Sequence, residues 1–201
     1  MKAAVVPAVS STWQIKDVPQ PQPGPGQVLV KMHASGICYT DVHQTLGHLP
    51  GQFPRILGHE PVGEIVAVAS DVTTRKVGDR VGSAWIQSTC GRCEWCLRGR
   101  RMFCPYLKGT SGEAQGGHAE FMPMNADATY LIPDKVSFEQ AAPIFCAGYT
   151  VYSGLRWARS SLWLLMSPLG SLATASARHG FNPPADAANG ASGAAGCSAL
   201  I

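Results

Sequence analysis

The sequence has few charged side chains and no basic block. Asp, Glu, Lys and Arg make up only 14% of its 201 residues, and the formal net charge is +3. A protein that binds nucleic acid or an anionic membrane surface usually carries a run or patch of basic residues. The composition therefore favours neither partner, and we expect no nucleic acid and no membrane.

Long apolar runs are also missing. The N-terminal residues MKAAVVPAV lack the apolar centre of a signal peptide. The sequence also contains no run of 18 or more apolar residues, the length needed to cross a bilayer. We therefore expect a cytoplasmic protein, with a core drawn from its 45% hydrophobic residues. In a reducing compartment, its seven cysteines favour metal ligation over disulfides.

Short segments with β-strand character, separated by Gly and Pro, dominate the first two thirds of the chain. Residues 27–33 and 62–68 are rich in β-branched or alternating apolar side chains, and residues 76–81 suggest a turn that leads into a strand. Four prolines between residues 19 and 25 exclude regular structure there. This pattern predicts a mainly β fold of the small-barrel type.

One segment brings metal-binding side chains close together in sequence. Residues 36–43 read GICYTDVH, and a Gly-His-Glu triplet follows at residues 58–60. A catalytic zinc ion needs three protein ligands and one open position. Cys38 and His59 can supply two of these ligands, but local spacing does not identify the third.

Four further cysteines follow the spacing C-x2-C-x2-C-x7-C. Four thiolates on a short lobe can close a tetrahedral shell around a structural zinc ion. A similar spacing also occurs among iron–sulfur ligands, so the spacing alone leaves both metals open. The cysteines are Cys90, Cys93, Cys96 and Cys104.

The seventh candidate ligand lies in a predicted helix. Ser137 followed by Gln140 forms a capping-box pattern, which predicts a helix that continues through residue 147. Cys146 would lie inside it. A cysteine on an apolar helix is often an ordinary core residue, so the pattern leaves a core role and a ligand role open.

Taken together and in this order, these motifs resemble the zinc-dependent, medium-chain alcohol dehydrogenases, most closely the bacterial ethanol- and propanol-preferring type. The resemblance covers residues 1–159 and rests on the segments above, on the motifs VGDRV and GGHAE, and on CAGYT at residues 146–150. It implies a GroES-like catalytic domain over residues 1–155, with a structural zinc lobe. It also implies oxidation of a primary alcohol to an aldehyde, with NAD as the hydride acceptor.

The resemblance assigns roles to individual residues. It makes Cys146 the third ligand of a catalytic zinc, beside Cys38 and His59, and the four-cysteine lobe a second, structural zinc site. Thr40 would bond the alcohol oxygen and His43 would end a proton relay. Asp41 would orient His59, and Glu60 would lie near the metal.

Four further positions concern the substrate and the cofactor. Trp85 matches an aromatic wall of the substrate pocket. Leu49 stands where relatives that act on small alcohols often carry tryptophan, which suggests a roomier pocket, although simple packing would equally explain a leucine. Tyr39 replaces a basic residue that contacts the cofactor pyrophosphate in many relatives, and Thr150 is the other expected cofactor contact.

The resemblance ends where a dinucleotide-binding domain should begin. No G-x-G-x-x-G motif occurs in the sequence, although residues 162–166 could form a first strand. We expect residues 156–201 to be an incomplete Rossmann remnant with a disordered, Ala- and Gly-rich tail. A truncated product, for example from a shifted reading frame, would explain this.

Two other functions compete with an active dehydrogenase. One is an inactive zinc-binding fragment that lacks the cofactor domain. The other is a GroES-like chaperone-type module, which would leave the Cys38, His59 and Cys146 set unexplained. The family is homo-oligomeric, but we expect its usual dimer contact to be missing here.

Overall fold

The computed structural model describes residues 1–49, 51–112 and 114–166, with side chains described as far as residue 159. Contacts divide the chain into a unit of residues 1–147 and a unit that begins at Gly148. The predicted low-complexity tail lies outside the described residues. Among those that are described, no helix combines the length and apolar character needed to span a membrane.

The first unit is built from short antiparallel strands. Their order is β2-β1-β4 in one sheet, β10-β6-β5-β3-β9 in the largest sheet, and β7-β8 in a third. The strands are β1 Lys2–Val6, β2 Gln14–Asp17, β3 Gln27–Gly36, β4 Arg55–Ile56, β5 Glu60–Val68, β6 Arg80–Ser83, β7 Ile86–Ser88, β8 Lys108–Gly109, β9 Phe121–Asn125 and β10 Thr129–Leu131.

The helices are few and short within this unit. They are α1 Tyr39–Thr45, α2 Glu94–Leu97, α3 Phe138–Ala141, and three 3-10 turns over Arg101–Phe103, Ala126–Ala128 and Ala142–Phe145. A longer helix, α4, spans Ala147–Met166. The described structure therefore agrees with the predicted mainly β architecture of the first unit.

The core of the largest sheet follows from strand alternation. Successive side chains of a strand point to opposite faces, so Val28 and Val30 of β3 lie on the same face. Both are fully buried, against Ile65, Met122 and Met124. Full burial of one such side chain stabilises the fold by about 1.5–3 kcal/mol. Strand β3, which lies inside the sheet and pairs with both β5 and β9, is thereby fixed.

The register of β3 against β5 determines where the candidate site forms. The pairing ends with Gly36 opposite Glu60. Because the strands are antiparallel, the residues just after Gly36 lie next to the residues just before Glu60. Cys38 and His59, which are distant in sequence, are therefore brought to the same end of the sheet.

The predicted helix near residue 140 is shorter than expected. Its capping box is present, because Ser137 Oγ accepts the Gln140 N–H and Gln140 Oε1 accepts the Ser137 N–H, each at 3.3 Å. The α-helix ends after four residues, however, and a 3-10 turn containing Pro143 follows. Proline has no N–H to donate, so it interrupts the α-helical bonding.

Two local expectations are therefore wrong. Cys146 lies at the junction after the 3-10 turn, with φ of −126° and ψ of −78°, and not inside a continuous helix. Residues 162–166 belong to helix α4 and do not form the strand considered for them. Leucine and methionine favour helices at least as well as strands, so an apolar run alone could not decide between them.

Candidate metal centres

The first candidate centre forms around the end of the β3–β5 pairing. A side chain at Gly36 is disfavoured, because a Cβ atom at this position would overlap the buried Glu60 carboxylate. Glu60 begins β5 and is fully buried. The close approach of the two strands holds the Glu60 side chain beside the loop that carries Cys38.

Three predicted ligands converge at this point. Cys38 Sγ lies 3.9 Å from Cys146 Sγ, and His59 Nε2 lies 3.3 Å from Cys146 Sγ. One donor atom from each of Cys38, His59, Glu60 and Cys146 lies within 4.8 Å of the others. Tetrahedral zinc with ordinary bond lengths separates two sulfurs by about 3.8 Å and a sulfur from a nitrogen by about 3.6 Å. The donor set therefore fits a zinc ion.

Asp41 lies behind this donor set and organises its backbone. The carboxylate accepts the N–H of Cys38 at 2.9 Å and the N–H of Gly58 at 3.0 Å. Its Oδ1 lies 3.8 Å from His59 Nδ1. Burial opposes ionisation of Asp41, but the neighbouring histidines and the main-chain N–H outweigh it and lower the pKa of this carboxyl.

The charge of Asp41 has a large effect on His59 when no metal is bound. Burial disfavours a charged imidazole, but Asp41 and Cys146 raise the pKa of His59 to about 11. A metal ion at His59 Nε2 must therefore displace a proton. The Asp41 carboxylate would then face the remaining Nδ1–H, which fixes the tautomer of a ligating imidazole.

Glu60 adds a buried carboxylate to the site. Both of its oxygens are buried and have no hydrogen-bond partner among the described residues. Burial, together with the nearby Asp41 charge, raises the pKa of Glu60 despite the opposing effect of His59 and Cys146. An unpartnered carboxylate of this kind is costly to bury, and a cation beside it would offset that cost.

Thr40, on helix α1, is a further polar residue next to the thiols. Its Oγ1 lies 3.7 Å from Cys38 Sγ. Burial alone would raise the pKa of the Cys38 thiol, but the backbone and side chain of Thr40, with the His59 charge, lower it. Cys38 is thus biased toward the thiolate, the form that binds metal.

His43 and Tyr39 lie further out on the same helix. The two rings meet edge to face, with centroids 4.8 Å apart. Tyr39 is 71% exposed, and His43 Nδ1 lies 3.2 Å from His48 Nδ1. The described contacts of His43 therefore lead outward from the thiols, toward solvent.

The remaining predicted positions are less closely tied to the donor set. The Trp85 ring lies 6.1 Å from the His59 ring at an interplanar angle of 78°, and it packs over Gly109. Leu49 is half-buried, and no described contact joins it to the thiols. Thr150 lies in α4, in the second unit.

The second candidate centre is the four-cysteine lobe. The thiols converge around α2, with Cys104 Sγ 3.7 Å and Cys96 Sγ 4.0 Å from Cys90 Sγ. The Cys93 N–H points to Cys90 Sγ at 3.3 Å. Main-chain N–H groups lower the pKa of Cys90 to about 6. These sulfur separations match the about 3.8 Å of a tetrahedral four-thiolate zinc site and exceed any disulfide bond length.

Sequence reasoning missed one buried residue next to the first centre. His118 is 1% exposed, and its Nε2 lies 3.8 Å from Asp41 Oδ1. Its ring packs against Trp13, with centroids 5.2 Å apart, and burial lowers its pKa. The GGHAE motif marks a turn and a strand, but nothing in it indicates that the histidine faces Asp41.

Comparison with known proteins agrees with the geometry of the two candidate centres. The family profile described as "Alcohol dehydrogenase GroES-like domain" matches residues 24–134. The chain belongs to this family. Its expected membership of the zinc-dependent, medium-chain alcohol dehydrogenases, with a mainly β, GroES-like fold, is confirmed.

Curated relatives and solved structures agree with this assignment. An alcohol dehydrogenase of Geobacillus stearothermophilus is 43% identical over 86% of this chain and 52% of the relative, and one of Moraxella is 42% identical over the same shares. A cinnamyl alcohol dehydrogenase of Sorghum bicolor superposes with a TM-score of 0.73 at 28% identity, over 80% of this chain and 48% of that one. This chain therefore spans about half the length of the curated relatives it matches.

Proposed function

We propose that this chain carries the alcohol-activating half of a zinc-dependent alcohol dehydrogenase, acting on a primary alcohol. The observation that carries the proposal is the convergence of Cys38, His59 and Cys146 on one point. These residues come from three separate segments, and donor atoms from them and from Glu60 lie within 4.8 Å of one another. Relatives named alcohol dehydrogenase support the same class of substrate.

The residues of the two centres would have separate roles. Cys38, His59 and Cys146 would hold the zinc ion, which acts as a Lewis acid and lowers the pKa of an alcohol hydroxyl. Asp41 keeps His59 in the tautomer that presents Nε2 to the metal. The four-thiolate lobe would hold a second zinc ion with a structural role.

Proton removal from the alcohol is the next step, and two residues would perform it. Thr40 Oγ1, near Cys38, would accept the hydroxyl proton and pass its own proton outward. His43 would stand at the outer end of this relay and release the proton to solvent, a role that rests on the family resemblance. Trp85 would form an apolar wall beside His59 and exclude water from this step.

The hydride acceptor is proposed as NAD, and this choice rests on the family resemblance. Solved neighbours with NADH and with NADP are both known, for example an Escherichia coli dehydrogenase with NADH at 33% identity and a TM-score of 0.66. The sequence has no G-x-G-x-x-G motif, and the described residues form no dinucleotide cradle. These residues therefore do not fit the cofactor, and hydride transfer has no acceptor site among them.

This mismatch favours a second candidate function, a zinc-binding fragment without turnover. The two candidates differ in one combined experiment on the purified chain: metal analysis together with NADH formation at 340 nm from ethanol. Bound zinc with NADH formation supports the dehydrogenase. Bound zinc without NADH formation supports the fragment, and a chain without zinc contradicts both.

A further inference from the structure

Helix α1 ends in a way that turns the chain back over its own last turn. Gly47 has φ of +76°, and its N–H donates to the Gln44 carbonyl at 3.2 Å. The next N–H, from His48, donates to the His43 carbonyl at 2.9 Å. These two bonds define a Schellman motif, in which the residue after the glycine lies beside the residue five positions earlier.

In Schellman motifs the two side chains brought together are frequently apolar. Here both are histidines, and their Nδ1 atoms lie 3.2 Å apart, where one imidazole donates its Nδ1–H to the other. A metal ion bound to both Nδ1 atoms would replace this hydrogen bond. The backbone bonds fix the two Cα positions, and the Tyr39 ring packs edge-on against His43. The helix terminus therefore brings the two imidazoles together, and the Tyr39 contact restricts the His43 ring.

The separation of the two nitrogens suits a shared metal ion. Two imidazole nitrogens bound at about 2.05 Å lie about 3.3 Å apart in a tetrahedral shell and about 2.9 Å apart at a right angle. The observed 3.2 Å falls between these values. His48 is exposed and His43 half-buried, so water can complete the shell.

We propose that His43 and His48 form a third metal site, a two-imidazole chelate for a borderline divalent transition-metal ion such as Ni²⁺, Cu²⁺ or excess Zn²⁺. The site differs from the two centres above because it contains no thiolate. Neutral imidazole is a preferred ligand of these metals. With only two protein donors, it binds metal more weakly and more reversibly than the thiolate sets.

One consequence rests on the proposed function. If His43 releases the alcohol proton, a metal ion on its Nδ1 occupies one of the two nitrogens that can carry this proton. Excess transition metal would then slow proton release while both zinc ions stay in place. The metal site itself needs no such role and can be tested without turnover.

The test uses the full chain, loaded with zinc and freed of loosely bound metal, and titrates it with Ni²⁺ by isothermal titration calorimetry. Three proteins are compared: the wild type, His48→Gln, and His33→Gln as the matched control. His33 is also exposed, but its ring stacks on Phe138 and its described contacts include no second imidazole. Because His48 is exposed, glutamine there preserves a polar surface and leaves the fold intact.

We expect the wild type and His33→Gln to bind one Ni²⁺ with equal affinity, and His48→Gln to bind it at least about tenfold more weakly. Equal affinity in wild type and His48→Gln, or no binding in the wild type, overturns the proposal. The difference in Ni²⁺ affinity between the two variants reports on the imidazole pair alone, regardless of which metal the thiolate sites contain. Failure of alcohol oxidation would therefore not be mistaken for failure of this site.

Discussion

Asp41 Oδ1 lies 3.8 Å from Nδ1 of His59, and both side chains are buried. The same carboxylate accepts the N–H of Cys38, itself a proposed ligand, and the N–H of Gly58, which directly precedes His59. A single carboxylate therefore connects the two segments that supply the first ligands. Removing this carboxylate should therefore weaken metal binding, although Asp41 is not itself one of the proposed ligands.

Replacing Asp41 by Asn tests this connection. Asparagine keeps the shape and one acceptor oxygen but loses the charge that orients His59. We expect zinc affinity at the first centre to fall about 10- to 100-fold, the usual effect of removing a carboxylate behind a ligating histidine. Competition with a chromophoric chelator measures it. The exposed Asp17→Asn is the control, and an unchanged affinity in Asp41→Asn would refute the connection.

The same pair predicts a pH dependence of stability in the metal-free protein. The folded pKa of His59 is raised to about 11, so its contribution is fully present below the unfolded value of 6.5 and is lost as pH rises toward 11. The folded pKa of Asp41 is lowered, so its contribution is present above the unfolded value of 3.8 and is lost as pH falls below it. The pair should therefore stabilise the fold most between these two unfolded values.

Urea unfolding in the presence of a chelator would measure this effect as the difference between wild type and Asp41→Asn. Taking the difference removes the titration of thiols that both proteins share. We expect the difference in free energy of unfolding to be largest near pH 5 and to shrink steadily from pH 7 to pH 10. A difference that grows over the alkaline range would show that His59 is not held charged by Asp41.

Much of this arrangement was predictable from sequence, but the contacts that assemble it were not. The strand segments around residues 27–36 and 60–68 show the expected β pattern, and the four-cysteine spacing predicts a lobe. The placement of Cys146 depends on Pro143 ending a helix that the capping box only starts. Spacing therefore left its role open until the family resemblance was considered.

Two histidines illustrate the limit further. His118 meets Asp41 through a turn, and no periodicity in the sequence brings these residues together. His48 meets His43 through the Schellman motif, for which Gly47 is a visible sequence signal. A side-chain contact made by a helix terminus can be predicted from the local sequence. A contact across the sheet depends on strand register, which the local sequence does not reveal.

Gly36 provides a test of that register. A methyl group there would overlap the Glu60 carboxylate, so Gly36→Ala must displace either the strand or the acid. We expect a loss of about 1–3 kcal/mol in the free energy of unfolding, the usual cost of overpacking. Gly154→Ala, with no atom near its added methyl group and a helical position, should instead stabilise by about 0.5–1 kcal/mol. A Gly36→Ala protein as stable as the wild type would contradict the close approach.

His118 predicts a gain in stability. Both ring nitrogens are buried without a hydrogen-bond partner among the described residues. His118→Phe replaces this unsatisfied ring by an apolar one of similar shape, so we expect the free energy of unfolding to rise by about 1 kcal/mol. The measurement is urea unfolding at pH 7, with the exposed His33→Phe as control. A loss of stability would show that His118 makes a favourable contact with Asp41.

The central claim is that two separate sets of side chains each hold a zinc ion, one of them completed by Cys146. Metal analysis of the purified wild type, Cys146→Ser and Cys93→Ser tests it most directly. Cys93 lies in the four-cysteine lobe, so each variant removes one ligand from a different set. We predict two zinc ions in the wild type and one in each variant. A wild type with fewer than two, or a Cys146→Ser protein that keeps both, would contradict the claim.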